Sequence, residues 1–231
     1  MNKKKIYLGK IKTVGKYTVW KVDGEYIRKN MNENFVIYDD SNHLSFIPRR
    51  EFWIEKDSNP KEWNFFITNL VAKNWALESG LNPKKAERAG ASAEKRERAK
   101  MFHIKNAGKT VLSKEKILKK IHKKLLKTPG KKISVWLVDG RAVRNLLSLD
   151  YEAGGHDRVY NFIPKKEIWI EQTLPKKEQE FILLHELHER FLMAEGKNYP
   201  RAHMGATIVE DYFRNHPKGL KPKIAKEAER Q

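Results

Sequence analysis

An internal duplication constrains this chain more than any other feature of its sequence. Residues 19–28 read VWKVDGEYIR and residues 135–144 read VWLVDGRAVR, an offset of 116 positions. The same offset relates the later segments FIPRREFWIE and FIPKKEIWIE. One ungapped alignment covers 19–98, which we name copy one, against 135–214, which we name copy two. Because two copies are too few for a solenoid, the duplication predicts two homologous modules.

Each copy has the same coarse pattern of strands and helices. A β-rich run ends in Asp-Gly, at Asp23 in copy one and Asp139 in copy two, which predicts a tight turn and a second strand. Further strand-like residues surround Phe-Ile-Pro. In copy two, helices are then predicted over 176–194 and 200–215, separated by Gly196. Strands followed by helices indicate the α+β class, with a small antiparallel sheet and two helices in each module.

Composition divides the chain into four segments. We expect an N-terminal module over 1–98, a basic helical linker over 99–132, a C-terminal module over 133–216 and a loose basic tail over 217–231. Within the linker, apolar residues at helical spacing predict a basic amphipathic helix over 112–127. Such a helix could lie on a phosphate backbone, or it could be a packed connector with a solvated lysine face.

The charge of the chain points to anionic partners. The formal net charge is +19, and a basic excess of this size favours binding to nucleic acid or another polyanion. We expect the lysines and arginines of 99–132 and of the tail to make those contacts. No run approaches the roughly 18 apolar residues of a membrane span, and the start has no apolar signal segment. We therefore expect a soluble, cytoplasmic protein without a membrane partner.

The segment FILLHELHERFLM at 181–193 is the strongest candidate for a functional element. It is apolar almost all round, which is typical of a buried helix. His185, His188 and Glu189 fall on one face of that helix, and buried groups of this kind need partners or a metal. Because the chain contains no cysteine, a metal would be held by His, Asp or Glu side chains.

Further candidate residues lie outside this helix. His203 and Glu210 share one stripe of the next helix, which antiparallel packing would turn toward the first, and His156 lies in a loop before Phe-Ile-Pro. Copy one keeps the scaffold residues but changes most of the candidates. The residues that correspond to His156, His185, Glu186, His188, Glu189, His203 and Glu210 are Asp40, Asn69, Leu70, Ala72, Lys73, Glu87 and Glu94. This difference predicts a site in copy two and a binding or scaffold role for copy one.

The order of the ionisable residues is similar to the HExxH motif of zinc peptidases, with one departure. That motif carries two His ligands one turn apart and a Glu that acts as general base. Here the i+4 position holds Glu189, and His188 comes one place early. One interpretation takes His185 and Glu189 as ligands and Glu186 as the base.

A second interpretation takes His185 and His188 as ligands, with His203 or Glu210 as the third. In thermolysin-like zincins the third ligand is a Glu on the next helix, and Glu210 follows Glu189 by 21 residues in a similar layout. We therefore predict Glu186 and Glu189 as catalytic residues. The predicted ligands of Zn²⁺, or of another divalent transition metal, are His185, His188, Glu189, His203, Glu210 and His156.

Two other chemistries fit the same residues. The His and Glu side chains could form a buried hydrogen-bond network that contains no metal. Alternatively, Glu186 and Glu189 with Glu210 and Asp211 resemble the carboxylate helices of nucleotide pyrophosphatases, which hold Mg²⁺ through oxygen ligands. The three His residues favour zinc or another transition metal over Mg²⁺.

Several motifs of copy two occur together in one known family. They are VWLVDG at 135–140, GGH at 154–156, FIPKKEIWI at 162–170 and FILLHELHER at 181–190. Over about 130–220, copy two resembles a family of uncharacterised bacteriophage and prophage proteins that look like metallopeptidases because of this His-Glu helix. The resemblance implies a site in copy two, a viral origin, a host-cytoplasmic or virion-associated location and other viral proteins as partners.

Two functions follow as expectations. The first is a zincin-like, metal-dependent hydrolase, a peptidase of viral or prophage origin. The alternative is a basic nucleic-acid-binding or virion structural protein in which the His/Glu core is not catalytic.

Overall fold

The computed structural model describes residues 3–106, 112–126 and 132–231. The chain divides into an N-terminal unit, Met1–Val111, and a C-terminal unit, Leu112–Gln231. Each unit contains a four-stranded sheet followed by helices, so the predicted α+β class is confirmed. Within the described residues, none of the helices has both the length and the apolar character needed to cross a bilayer.

The elements of the N-terminal unit alternate between short helices and strands before two long helices. In chain order they are α1 (Lys3–Ile6), β1 (Tyr7–Val14), β2 (Tyr17–Val22), α2 (Gly24–Asn30), β3 (Tyr38–Asp40), β4 (Glu51–Glu55), α3 (Trp63–Glu78) and α4 (Pro83–Asn106). A short 3-10 helix, Pro60–Glu62, leads into α3.

The C-terminal unit has the same order and one additional helix. Its elements are α5 (Lys114–Ile121), β5 (His122–Leu126), β6 (Ser134–Val138), α6 (Gly140–Leu146), β7 (Gly154–His156), β8 (Glu167–Glu171), α7 (Lys176–Ala194), α8 (Tyr199–Asn215) and α9 (Leu220–Glu229). Helix α7 has the predicted bounds. Corresponding elements repeat the offset, as at Gly24 and Gly140 or Glu51 and Glu167, which is consistent with a duplication.

The two sheets have the same mixed topology. Their strand orders are β1-β2-β4-β3 and β5-β6-β8-β7. The outer pairs are antiparallel, but the central pairs, β2 with β4 and β6 with β8, are parallel. The expected purely antiparallel sheet is therefore wrong for the central pair. Parallel pairing is possible because a helix and a long loop connect the two strands.

The Asp-Gly segments begin helices and do not form hairpin turns. Asp23 Oδ1 accepts a hydrogen bond from the Tyr26 N–H at 3.0 Å, and Asp139 Oδ1 accepts one from the Ala142 N–H at 3.0 Å. Each Asp is thus the N-cap of a short helix, α2 or α6, where the sequence predicted a turn and a second strand. That prediction is wrong because Asp suits both positions. The Gly is needed for another reason: a Cβ on Gly24 would collide with the Glu55 carboxylate.

Helix α7 is covered by several elements, which is consistent with a sequence that is apolar almost all round. Its buried residues Phe181, Leu184 and Leu187 belong to one core with Ile168 and Ile170 of β8. Alternate residues of a strand face opposite sides of a sheet, so Trp169 lies in a second core with Ile121, Val138, Val143, Tyr151 and Ile163. The sheet, α8 and α9 all contact α7.

The basic segments that were expected to be a linker and a tail belong largely to the folded units. Residues 99–106 continue α4, while the predicted helix over 112–127 is a shorter helix, α5, followed by the edge strand β5. Residues 107–111 and 127–131 of the expected linker lie outside the described residues. The expected loose tail is also wrong, because α9 buries Leu220, Ile224 and Ala228 in the core around α7.

Candidate metal centre

Helices α7 and α8 are held antiparallel by a short turn. Gly196 has a φ of 89°, a left-handed conformation that glycine adopts without strain. Asn198 then caps α8 by accepting a hydrogen bond from the Arg201 N–H at 3.2 Å. This geometry turns His203 on the first part of α8 toward His185 and Glu189 on α7.

Three potential ligand atoms converge between the two helices. His203 Nδ1 lies 2.8 Å from Glu189 Oε2 and 3.1 Å from His185 Nε2. His185 Nε2 lies 3.5 Å from the same Glu189 oxygen. These three side chains form a group that could hold a metal ion. His185 and Glu189 are buried, whereas the His203 side chain is 43% exposed, so the group is accessible from one side.

Glu210 orients His185 and is itself held by an arginine. His185 Nδ1 lies 2.8 Å from Glu210 Oε2, so it donates to that oxygen and leaves Nε2 directed at the centre. The other Glu210 oxygen accepts from Arg214 Nη2 at 2.7 Å, and Arg214 also pairs with Glu178 at 2.8 Å. Glu210 is therefore a buried partner of a candidate ligand, in the manner of the carboxylates that support metal-bound imidazoles.

His156 supports Glu189 from the sheet. Its ring is fully buried, and its Nδ1 accepts a hydrogen bond from the Arg158 backbone N–H at 3.1 Å. The ring proton is consequently on Nε2, which donates to Glu189 Oε1 at 3.1 Å. His156, Glu186 and Glu189 form a second group close enough to hold a metal. In that group His156 would have to give up the proton that it now donates to Glu189.

The structure does not bring His188 to this centre. His188 Nδ1 lies 3.2 Å from Glu227 Oε2 on α9, and His188 belongs to neither candidate group among the described residues. Burial alone would raise the pKa of Glu227, but His188 and Lys223 lower it to about 2. The sequence reasoning missed Glu227 because it treated this part of the chain as a loose tail.

Glu186 lies in a tight pocket beside the converging ligands. Its side chain is nearly buried, and a Cβ added to Gly154 would approach Glu186 Oε1 to 2.8 Å. Burial raises the pKa of Glu186 to about 8; His185 opposes the shift, while Glu189 and Glu210 add to it. A carboxyl with a pKa near neutrality suits proton transfer.

The ligand atoms themselves favour a cation between them. Burial would lower the pKa of His185, but hydrogen bonds to Glu189 and Glu210 raise it to about 10. Burial would likewise raise the pKa of Glu189, but hydrogen bonds from His156, His185 and His203 hold it well below its usual range. The cluster therefore stabilises positive charge next to Glu189, which protons supply when no metal is bound.

Copy one retains the ion pair of this centre and lacks its imidazoles. Arg98 Nη2 pairs with Glu94 Oε1 at 2.7 Å and Arg98 Nη1 with Glu62 Oε1 at 2.8 Å, as Arg214 does with Glu210 and Glu178. Asn69 Nδ2 donates to Glu94 Oε2 at 2.8 Å in the place of His185. The Glu-Arg-Glu set is thus common to both units, whereas the candidate nitrogen ligands His185 and His203 are found in the second.

Tyr199 and Glu178 are two further residues that the sequence reasoning missed. Tyr199 stacks on His203 with the ring centroids 5.4 Å apart. Burial, with Glu189 as the next cause, raises the pKa of Tyr199 to about 12. Glu178 could have been found from the duplication, since Glu62 corresponds to it, but Tyr199 corresponds to Pro83 and carries no such signal.

Comparisons of the chain with protein-family models, with curated proteins and with solved structures found no match in any of the three. The bacteriophage-family resemblance of copy two stays a prediction. Function is therefore inferred from the geometry of the centre.

Proposed function

We propose that the C-terminal unit is a zinc-dependent hydrolase of the peptidase type, with His185 Nε2, Glu189 Oε2 and His203 Nδ1 as the ligands. The observation that carries this proposal is the convergence of those three atoms at 2.8 to 3.5 Å from one another, with one ligand partly open to solvent. Two of the three also have a hydrogen-bond partner outside the set, Glu210 for His185 and His156 for Glu189, which is the arrangement that orients ligands in metal sites.

The donor set supports zinc as the metal. Two imidazoles and one carboxylate form the His₂Glu set of catalytic zinc sites, in which the fourth position is left for water or substrate. Zincins draw two His from one helix and the Glu from the next, whereas here α7 supplies His185 and Glu189 and α8 supplies His203. The same three donors are therefore present, with the second His and the Glu exchanged.

We assign proton transfer to Glu186. It follows the first ligand directly in the chain, as the general base of the zincin motif does. Its carboxyl oxygen lies within 4.8 Å of a Glu189 oxygen. The raised pKa of Glu186 would fall when a divalent cation is bound nearby, so that the carboxylate form becomes available at neutral pH. Zinc would supply the Lewis acidity that such hydrolysis requires.

The Mg²⁺ alternative has less support. It would need Glu210 and Asp211 to face Glu186 and Glu189, but both Glu210 oxygens are engaged, one by Arg214 and the other by His185. Asp211 is exposed and accepts a hydrogen bond from Asn215 on its own helix. The remaining oxygens are too few for a hard cation that prefers six oxygen ligands.

The first experiment is to measure the zinc content of the full chain and of two variants. We expect near-stoichiometric zinc in the protein, loss of zinc in His203→Ala and retention in His188→Ala, since His188 contacts Glu227 and not the centre. His203 is half-exposed, so its removal should leave the fold intact. Absence of zinc after reconstitution, with an unchanged fold, would show that the His/Glu cluster is a metal-free polar core.

One observation favours polyanion binding as a second function. Helix α5 turns Ile117, Leu118 and Ile121 toward the core and presents four lysines to solvent, at 114, 116, 119 and 120. If these lysines contact phosphates, affinity for duplex DNA should fall steeply with salt, and replacing all four by Gln should reduce the slope by about four. A slope that the substitutions leave unchanged would exclude this surface. Resemblance to bacteriophage and prophage proteins is compatible with either function.

A further inference from the structure

The N-terminal unit contains an open cleft that the proposed hydrolase does not use. Its volume is about 810 Å³, within the size range of small-molecule sites. The start of β2, the loop before β4 and the last turn of α3 form its walls. The side chains that matter for binding are Lys16, Asn42, Arg49, Arg50, Asn74 and Glu78.

At two positions that line the cleft, copy one has uncharged side chains where copy two has an ion pair. In copy two, Arg190 Nε donates to Asp157 Oδ1 at 2.7 Å, and Gln231 contacts the same guanidinium at 3.0 Å. In copy one, Ser41 corresponds to Asp157 and Asn74 corresponds to Arg190, and both side chains are shorter and uncharged. The lining of the cleft therefore has no counterpart of the Asp157–Arg190 ion pair.

Hydrogen bonds and an ion pair hold the side chains at the floor of the cleft in place. Asn74 Nδ2 donates to Asp40 Oδ2 at 2.6 Å, and Asn74 Oδ1 accepts from Asn42 Nδ2 at 2.8 Å. Lys73 Nζ lies 3.1 Å from the same Asp40 oxygen and 3.6 Å from Glu87 Oε1, so one ammonium is shared by two carboxylates. Lys73 therefore reduces the repulsion between Asp40 and an anion that enters from the rim.

The rim carries an excess of positive charge. Arg49 and Arg50 are exposed, and no described carboxylate lies within 4.0 Å of either guanidinium. Lys16 pairs with Glu78 at 2.7 Å, so the three cations face one lining carboxylate. Both arginines line the same cleft, and arginine binds phosphate oxygens in bidentate geometry.

The remaining lining groups suit the rest of a nucleotide. Asn42 and Ser45 are exposed and can exchange hydrogen bonds with a sugar or a base. Phe46 is partly exposed beside them, and its ring lies 5.9 Å from Trp53 at a tilt of 56°. An aromatic ring next to cations is the combination on which nucleobases stack.

We propose that this cleft binds a phosphate-bearing ligand of nucleotide size, with the phosphate on Arg49 and Arg50 and the base near Phe46. The ligand could be a free nucleotide or the phosphorylated end of an oligonucleotide, which share this chemistry. The site belongs to the N-terminal unit and is independent of the zinc ligands.

Isothermal titration of the full chain with adenosine monophosphate tests the proposal, with adenosine and inorganic phosphate as separate probes. The monophosphate should bind, and the double variant Arg49→Ala, Arg50→Ala should lose at least about tenfold in affinity. The matched control is Lys165→Ala, Lys166→Ala, which removes the same charge at the corresponding turn of copy two. Lys166 has a φ of 64° and Arg50 a φ of 65°, so both double variants place Ala at the same backbone conformation.

The outcomes separate specific binding from general attraction. An unchanged control beside a weakened Arg49/Arg50 variant supports the cleft, as does equal binding by the zinc-free His203→Ala variant. Equal losses in both double variants, no binding of the monophosphate, or binding of inorganic phosphate as tight as that of the monophosphate would overturn it. A 5′-phosphorylated dinucleotide that binds more tightly than the monophosphate would identify a nucleic-acid end as the source.

Discussion

Glu210 and Glu94 occupy corresponding positions in the two units and make the same ion pair at the same distance. Each accepts a hydrogen bond from the arginine four residues later, with 2.7 Å between Nη2 and Oε1. They differ in what the second carboxylate oxygen contacts, which is His185 for Glu210, and Asn69 together with the Tyr38 hydroxyl for Glu94. The chain thus contains an ion pair that supports a candidate ligand and a matched pair that does not.

Substitution of Glu210 should therefore weaken metal binding where substitution of Glu94 does not. We expect Glu210→Gln to lower zinc affinity by about 10- to 100-fold, because His185 loses the carboxylate that orients it. Glu94→Gln disrupts the equivalent ion pair in the other unit and is the control. Competition with a chromophoric chelator measures both affinities. Equal zinc affinity in the two variants would contradict the orienting role of Glu210.

Glu186→Gln should separate metal binding from catalysis. The amide keeps the shape of the buried side chain but cannot accept a proton, so we expect zinc content to stay near that of the unmodified protein. Peptide hydrolysis should fall by about 10²- to 10⁴-fold, the usual contribution of general acid–base catalysis. Release of a fluorescent product from a mixed peptide library gives the rate. Unchanged hydrolysis with full zinc occupancy would remove Glu186 from the mechanism.

Removal of either buried arginine should destabilise its own unit strongly. Arg214→Ala leaves Glu178 and Glu210 buried without their common partner and removes a guanidinium 4.5 Å from the Phe181 ring. We expect a loss of about 3–5 kcal/mol in the free energy of unfolding. Urea titration monitored by circular dichroism measures it, and Arg98→Ala should cost a similar amount in the N-terminal unit. A loss below about 1 kcal/mol in both variants would be inconsistent with a buried, structural ion pair.

His122 should make the C-terminal unit sensitive to mild acid. Burial lowers the pKa of His122 below its ordinary value of 6.5, although Glu167 opposes the shift. As the pH falls through about 6.5, the unfolded chain takes up a proton that the native ring resists, so the contribution of His122 to the stability declines. His122→Tyr should remove this contribution, since Tyr7 fills a similar place in the N-terminal unit, against Trp20.

Denaturant titrations at pH 7.5 and pH 5.5 measure this effect. The protein should lose more unfolding free energy between the two pH values than His122→Tyr does, and Tyr7→His should introduce a comparable dependence into the other unit. Parallel pH profiles for all three proteins would show that His122 does not titrate differently in the native and unfolded states.

The sequence was sufficient to predict elements whose signal is local and repeated. The bounds of α7 follow from a long apolar run that ends at Gly196, and the α+β class follows from the order of strands and helices. The sequence did not distinguish a turn from a helix N-cap at Asp23, because the same residue satisfies both. It also could not reveal α9, since alternating lysines hid the spacing of Leu220 and Ile224.

The sequence indicated which ionisable side chains would cluster more readily than it indicated how they would be arranged. His185, Glu189 and His203 were all candidates, and their convergence depends on a helix pairing that the short Gly196 turn made predictable. His188 was a candidate because its spacing places it on the same face of α7 as His185 and Glu189. It contacts Glu227 instead, because helix α9 covers that side of α7. The packing of the helices decides which face of a buried helix meets which neighbour. The residue pattern along α7 alone did not show that α9 would cover the side that carries His188.

Each unit has a buried contact between a strand and a helix, β3 with α3 and β7 with α7, but the acidic residue lies on the strand in one unit and on the helix in the other. Asp40 on the strand faces Lys73 on the helix in the N-terminal unit, while His156 faces Glu189 in the C-terminal unit. A mutational path between the two pairs must change both residues. From the Asp40–Lys73 pair, changing the helix residue first would set a carboxylate against Asp40 in a buried space, whereas changing the strand residue first places an imidazole beside an ammonium. From the His156–Glu189 pair the order is reversed, because changing the strand residue first would set an aspartate against Glu189. In either direction, two facing buried carboxylates are avoided only when one particular residue of the pair changes first.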